Sequence, residues 1–192
     1  MRVLGIDPGT RKVGFGFLDQ LEPRHPNQRA GRCGNLVRPL FSGGRNLASP
    51  VPGGAGILSL GSSQVPIQTR LQILARGLRE LIREWRPDVI AVEEAFFGKS
   101  VQAALRIGES RGVVLLIAAE SGLPVVQYSP AVIKKRVSGN GRASKAQLAQ
   151  ALSASLPIQV EDLAEDATDA LAIAFCHLLS LLGNLEKTRG GA

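Results

Sequence analysis

Four carboxylates interrupt stretches that otherwise read as buried core. Asp7 closes the apolar run Val3-Leu4-Gly5-Ile6, Glu93 closes Val89-Ile90-Ala91-Val92, and Asp166 and Asp169 open the stretch Ala170–Phe175. Acids are seldom buried without partners, because desolvating a charge is costly. Three separated core segments that each deliver acids constrain the fold to one that gathers their ends. They also call for a shared counter-charge, and a hard divalent cation with oxygen ligands meets that need.

The spacing of apolar residues outlines the elements. Residues 2–7 read as a buried strand closed by Pro8-Gly9, and the alternating residues 12–19 as its antiparallel partner. Gly5, Gly14 and Gly16 would allow close backbone approach. Further strands are expected at 55–61, 88–93 and 124–129, and helices at 66–85, 99–121, 130–137, 144–155 and 162–184. Strands that pair early and then alternate with helices give an α/β fold, here a mixed five-stranded sheet flanked by helices. The 192 residues suit one domain spanning 1–192. Residues 20–54 stand apart, with five prolines, six glycines, five arginines and a single glutamate, and no period. They read as a flexible insertion, the alternative being a basic flap over a polyanion. A short disordered tail is expected at about 186–192.

Strand parity puts Asp7 on one face with Val3 and Gly5. It puts Glu93 with Val89 and Ala91 while Glu94 points the other way; both glutamates stay candidates at this point. Asp166 and Asp169 are three apart on a helix and repel each other unless a cation lies between them. Each acid also has an ordinary reading. Asp7-Pro8-Gly9-Thr10 is a good turn, Glu93 could be a strand-end surface acid, and acids suit a helix N-terminus. The coincidence of three segments favours one site, beyond the carboxyl ends of the strands. Two Mg²⁺ ions held by such acids could promote phosphodiester hydrolysis.

The net charge of +7 favours an anionic partner, nucleic acid ahead of a membrane surface. No run approaches the roughly 18 consecutive apolar residues of a membrane span, and the N-terminus lacks a signal-peptide layout. Cys33 and Cys176 form no zinc-binding spacing and suit reduced thiols in a cytoplasmic protein. His177 reads as structural, and Trp85 and Tyr128 as core or rim. Lys134-Lys135-Arg136, Gly139-Asn140-Gly141-Arg142 and Lys145 form a basic stretch whose glycines would let backbone amides reach phosphates; a solvated charge run is the alternative. Ser144 suits a helix N-cap. Phe96-Phe97, followed by Lys99, could present an aromatic ring to bases or pack under the next helix.

The ordered set resembles the RuvC family of bacterial Holliday-junction resolvases. Gly5-Ile6-Asp7-Pro8-Gly9-Thr10 is similar to its opening motif, and Ala91-Val92-Glu93-Glu94-Ala95-Phe96 to its second acidic strand. Ala104–Gly112 is similar to its central helix, Lys134 through Lys145 to its basic region, and Asp166-Ala167-Thr168-Asp169-Ala170-Leu171-Ala172 to its closing acidic helix. The resemblance implies a ribonuclease H-like fold, a homodimer, Mg²⁺ or Mn²⁺, and paired nicks across a four-way DNA junction. It implies coupling to a branch-migration motor of RuvA and RuvB. It selects Glu93 over Glu94, so that Asp7, Glu93, Asp166 and Asp169 would be catalytic acids and metal ligands, with Lys134 and Lys145 as catalytic lysines. Phe96 would contact bases, with Phe97, Lys99, Lys135, Arg136 and Arg142 as further DNA contacts. The long segment 20–54 departs from the family's usual tight connection, and Ser100 stands where Asn is frequent. Three rivals remain: the YqgF branch of ribonuclease H-like nucleases acting on RNA, an actin-like sugar kinase or ATPase, and a non-catalytic junction-binding protein.

Overall fold

A computed structural model describes residues 1–20, 51–94, 101–157 and 160–189. Strand β1 (Arg2–Asp7) pairs antiparallel with β2 (Lys12–Asp19), and β2 antiparallel with β3 (Val51–Ser59). On its other side β1 pairs parallel with β4 (Val89–Glu93), and β4 parallel with β5 (Val125–Tyr128). The sheet is therefore mixed and five-stranded, in the order β3-β2-β1-β4-β5. The helices are α1 (Ile67–Trp85), α2 (Val101–Glu120), α3 (Pro130–Ser138), α4 (Lys145–Ser155) and α5 (Glu165–Arg189).

Strand parity sorts the core into two layers. Leu4 and Ile6 of β1 and Ile90 of β4 pack with Leu74 and Leu78 of α1 and Val114 and Ile117 of α2. Val3, Val89 and Ala91 face the other way, onto α5 residues 171–176 and onto Ile133, Val137, Leu148 and Leu152 of α3 and α4. Asp7 and Glu93 share the parity of this second face, so their side chains fall on the α5 side.

Several boundaries differ from the sequence expectations. Strand β3 begins at Val51, so residues 51–54 belong to the sheet rather than to the insertion. Pro52 and the adjoining glycines read as loop, yet β3 is an edge strand, where proline is tolerated. A register shift opposite Phe17/Leu18 absorbs the irregularity. Residues Val160–Asp162 form a 3₁₀ turn and α5 starts at Glu165, three residues later than expected. At its other end α5 continues to Arg189, through residues 186–189 of the expected tail. The segment Glu165–Gly183 is long and apolar enough to cross a membrane, but 61% of it is buried against the sheet and α3, which accounts for its hydropathy. The bulk of the insertion, with His25 and Cys33, and the expected DNA contacts Phe96, Phe97 and Lys99 lie outside the described residues.

Candidate active site

Three glycines decide how close α5 lies to the sheet. In the β1–β2 register Gly5 pairs with Gly16 and Asp7 with Gly14. A Cβ on Gly5 would stand 2.0 Å from the Ala170 carbonyl oxygen, and one on Gly14 1.8 Å from that of Asp166. On Gly16 it would come within 2.8 Å of Leu171. Only a bare backbone admits the helix at this distance, and the approach carries Asp166 and Asp169 to the end of β1 beside Asp7.

The turn after Asp7 is anchored from the opposite layer. The buried Ser110 hydroxyl of α2 donates to the Gly9 carbonyl at 2.9 Å, and the Arg70 guanidinium of α1 donates to the Thr10 carbonyl at 2.6 Å. The Leu60 amide donates to the Arg11 carbonyl at 2.8 Å. Sequence reasoning missed Arg70 and Ser110. Their one local signal is a polar residue on the inward side of an amphipathic helix.

Glu93 and Tyr128 are register partners at the ends of β4 and β5. Glu93 is part-buried on the α5 side, and Glu94 is exposed, so the fold separates the two glutamates. Asp7, Glu93 and Asp169 line a cavity of about 300 Å³ together with Lys134 and Lys145, over an apolar floor that includes Ile133, Leu148 and Ile173. Asp166 opens instead onto a second cleft of about 490 Å³, bounded by the Gly9–Lys12 turn, Gly61 and Ser62. Its charge still reaches Asp7.

The two lysines arrive from the α3–α4 corner. Gly139 caps α3 in the left-handed conformation at φ 77°, and Asn140 closes a tight turn. The Asn140 side-chain oxygen accepts from the Arg142 amide at 3.0 Å, and its carbonyl accepts from the Ala143 amide at 3.0 Å. These amides are satisfied within the turn, so the glycines serve the corner's geometry rather than offering those donors to phosphate. Ser144 caps α4 as expected, in a reciprocal pair with Gln147 at 3.2 and 2.9 Å. The cap fixes Lys145 as the first helical residue. The Lys145 ammonium bonds the Asp169 carboxylate at 3.0 Å and also the Glu165 carboxylate.

Charge in the cavity is unevenly balanced. Burial, then the nearby charges of Asp169, Glu93 and Asp166, push the Asp7 carboxyl up to about 7, against a smaller opposing pull from Lys145. Burial and Asp169 also raise Glu93, opposed by Lys145 and Lys134. Burial works against the charge on Lys145, but its bonds to Glu165 and Asp169 outweigh this and raise its pKa. Among the described residues no three His, Cys, Asp or Glu side chains are gathered closely enough to hold one metal ion as they stand. The donor chemistry nevertheless fits a hard divalent cation: all candidates are carboxylate oxygens, and three of them, Asp7, Glu93 and Asp169, line one cavity.

Of the other expected residues, Lys135, Arg136 and Arg142 are exposed on α3 and the following turn. Arg136 also lies over the Tyr128 ring at 5.6 Å. His177 is buried and structural, its Nδ1 2.7 Å from the Tyr128 hydroxyl.

The family model described as crossover junction endodeoxyribonuclease RuvC matches residues 53–177. The RuvC of Chloroflexus aggregans is 39% identical over 177 residues, 92% of either chain, and that of Thermomicrobium roseum 35% identical over 188 residues, 97% of this chain and 99% of the relative. Among solved structures, Thermus thermophilus RuvC in complex with Holliday junction substrate superposes with a TM-score of 0.75 at 27% identity, over 94% of each chain. The yeast mitochondrial Holliday junction resolvase Ydc2 shares the fold, with a TM-score of 0.60 at 14% identity. The chain belongs to the RuvC family of crossover junction endodeoxyribonucleases.

Proposed function

We propose that this chain resolves four-way DNA junctions by paired, symmetric hydrolysis of phosphodiesters at the cavity formed by Asp7, Glu93, Asp169, Lys134 and Lys145, with Asp166 beside it. The observation that carries this reading is the convergence of three acids and two lysines, from five separate elements, on one cavity at the carboxyl ends of β1 and β4. Asp7, Glu93, Asp166 and Asp169 would hold Mg²⁺, with Mn²⁺ as a substitute. When bound, the cation supplies Lewis-acid polarisation of the phosphate and favours deprotonation of the attacking water.

The chain's own residues do the rest. Asp7 carries a proton over much of the range below its pKa of about 7, so cation binding must displace that proton. Lys145 stays protonated at neutral pH and so serves as a cation and hydrogen-bond donor toward phosphate, not as a base. Lys134, from α3, offers a second positive charge to the same cavity. The apolar floor excludes water from beneath the carboxylates and strengthens these interactions. Phe96, Phe97, Lys99, Lys135, Arg136 and Arg142 are the proposed DNA contacts.

Paired nicks require two sites. On the outward face of α2, Leu105 is 63% and Leu116 56% exposed, and Gly108 and Gly112 lie between them at helical spacing with open space around them. Such an apolar, small-residue stripe suits self-association of two copies about a two-fold axis. We propose the homodimer on this basis, acting in the cytoplasm with a branch-migration motor of RuvA and RuvB.

The test is to incubate the protein with four-way junctions, linear DNA duplex and linear RNA, each with Mg²⁺ and with chelator. Symmetric nicks confined to the junction and dependent on the ion are expected. Preferential cleavage of RNA, or binding without cleavage, would contradict the proposal.

A further inference from the structure

Lys145 touches two carboxylates of unequal setting. Asp169 lines the catalytic cavity with its side chain 24% exposed, whereas Glu165, one helical turn earlier on α5, is 67% exposed. Both accept from the same ammonium, on a lysine side chain that is 62% exposed. Ion pairs this open to solvent are individually weak and exchange readily. The ammonium therefore occupies the position on Asp169 that a divalent cation would need, without being locked there.

We propose that Glu165 is a positioning residue that lends Lys145 an alternative carboxylate, so that a divalent cation can displace the ammonium from Asp169 while Lys145 stays at the cavity rim. This rests on the reading of Asp7, Glu93, Asp166 and Asp169 as cation ligands. With Glu165 present, leaving Asp169 gives up one of two partners and keeps the other. Without it, Lys145 must give up its remaining ion pair and competes harder for Asp169. Lys145 then remains poised to meet the phosphate that accompanies the ion. Glu165 itself never reaches the cavity lining.

The effect is a coupling and is measured as one. Mn²⁺ is titrated into DNA-free protein and the free-ion paramagnetic resonance signal followed, for wild type, Glu165→Gln, Lys145→Met and the double variant, with circular dichroism confirming the fold. Glu165→Gln is expected to weaken Mn²⁺ binding about two- to threefold, as befits one exposed ion pair. Lys145→Met is expected to tighten it, and Glu165→Gln in the Lys145→Met background to have no further effect. Glu165→Asp should recover part of the wild-type affinity. Equal weakening by Glu165→Gln in both backgrounds would overturn the proposal, because Glu165 would then act as a ligand or through its own charge. If instead Asp7→Asn and Asp169→Asn leave Mn²⁺ binding unchanged, the acids are not the cation site and the underlying reading fails separately.

Discussion

Asp7 concentrates the cost of this site in one side chain. Its carboxyl titrates near 7 in the folded protein, against roughly 3.9 in an unfolded chain. The folded state thus keeps a proton that the unfolded state sheds. The stability this lends is fully present below about pH 4 and is lost as pH rises through about 7. By pH 8 the loss is on the order of 4 kcal/mol, or roughly 10 °C in Tm for a chain of this size. Calorimetry in chelator should show the wild-type Tm falling from pH 5 to 8, with Asp7→Asn higher at pH 8 and flatter across the range; a less stable variant at pH 8 would contradict this. Lys134→Ala and Lys145→Ala should slow cleavage at least tenfold with Tm within a few degrees of wild type, as loss of partly exposed charges implies. Global collapse in a thermal melt would make them structural instead. The acids were legible from sequence because a charge ending an apolar run is conspicuous. Arg70, Ser110 and the Lys145–Glu165 contact were not, because each joins residues from different elements and leaves no local pattern.

At the scale of elements, the site exists because α5 lies on bare backbone. Gly14→Ala puts a Cβ 1.8 Å from a helix carbonyl with no flexible side chain to yield, and should destabilise the protein by roughly 3 kcal/mol or more in urea unfolding. Gly122→Ala meets nothing within 4 Å but sits at φ 66°, so its cost should be about 1 kcal/mol, from backbone strain alone. Similar costs at both positions would deny the packing role of Gly14. The close-approach glycines were legible in sequence, but not what approached them: strand parity names a face, not the element covering it. The start of β3 was not legible either. Val51-Pro52-Gly53-Gly54 carries every local mark of a loop, and only pairing with β2 at an open edge makes it strand.

For the whole molecule, a basic chain presents an acidic cavity, and a cation reconciles the two by letting a polyanion approach carboxylates. The exposed stripe on α2 supplies the proposed two-fold partner. Leu116→Glu should convert the dimer to monomer in sedimentation at micromolar concentration while the fold persists; an unchanged sedimentation coefficient would remove α2 from the interface. Order along the chain, more than any single motif, made the family legible before the coordinates. The substrate's branched shape was legible only through that resemblance. The most direct test of the central claim compares wild type and Asp7→Asn on a labelled four-way junction, with nicks read on a denaturing gel and binding read by mobility shift. The account predicts symmetric Mg²⁺-dependent nicks from wild type, and undiminished binding with no nicks from the variant. Wild-type-like cleavage by Asp7→Asn, or cleavage in chelator, would contradict it.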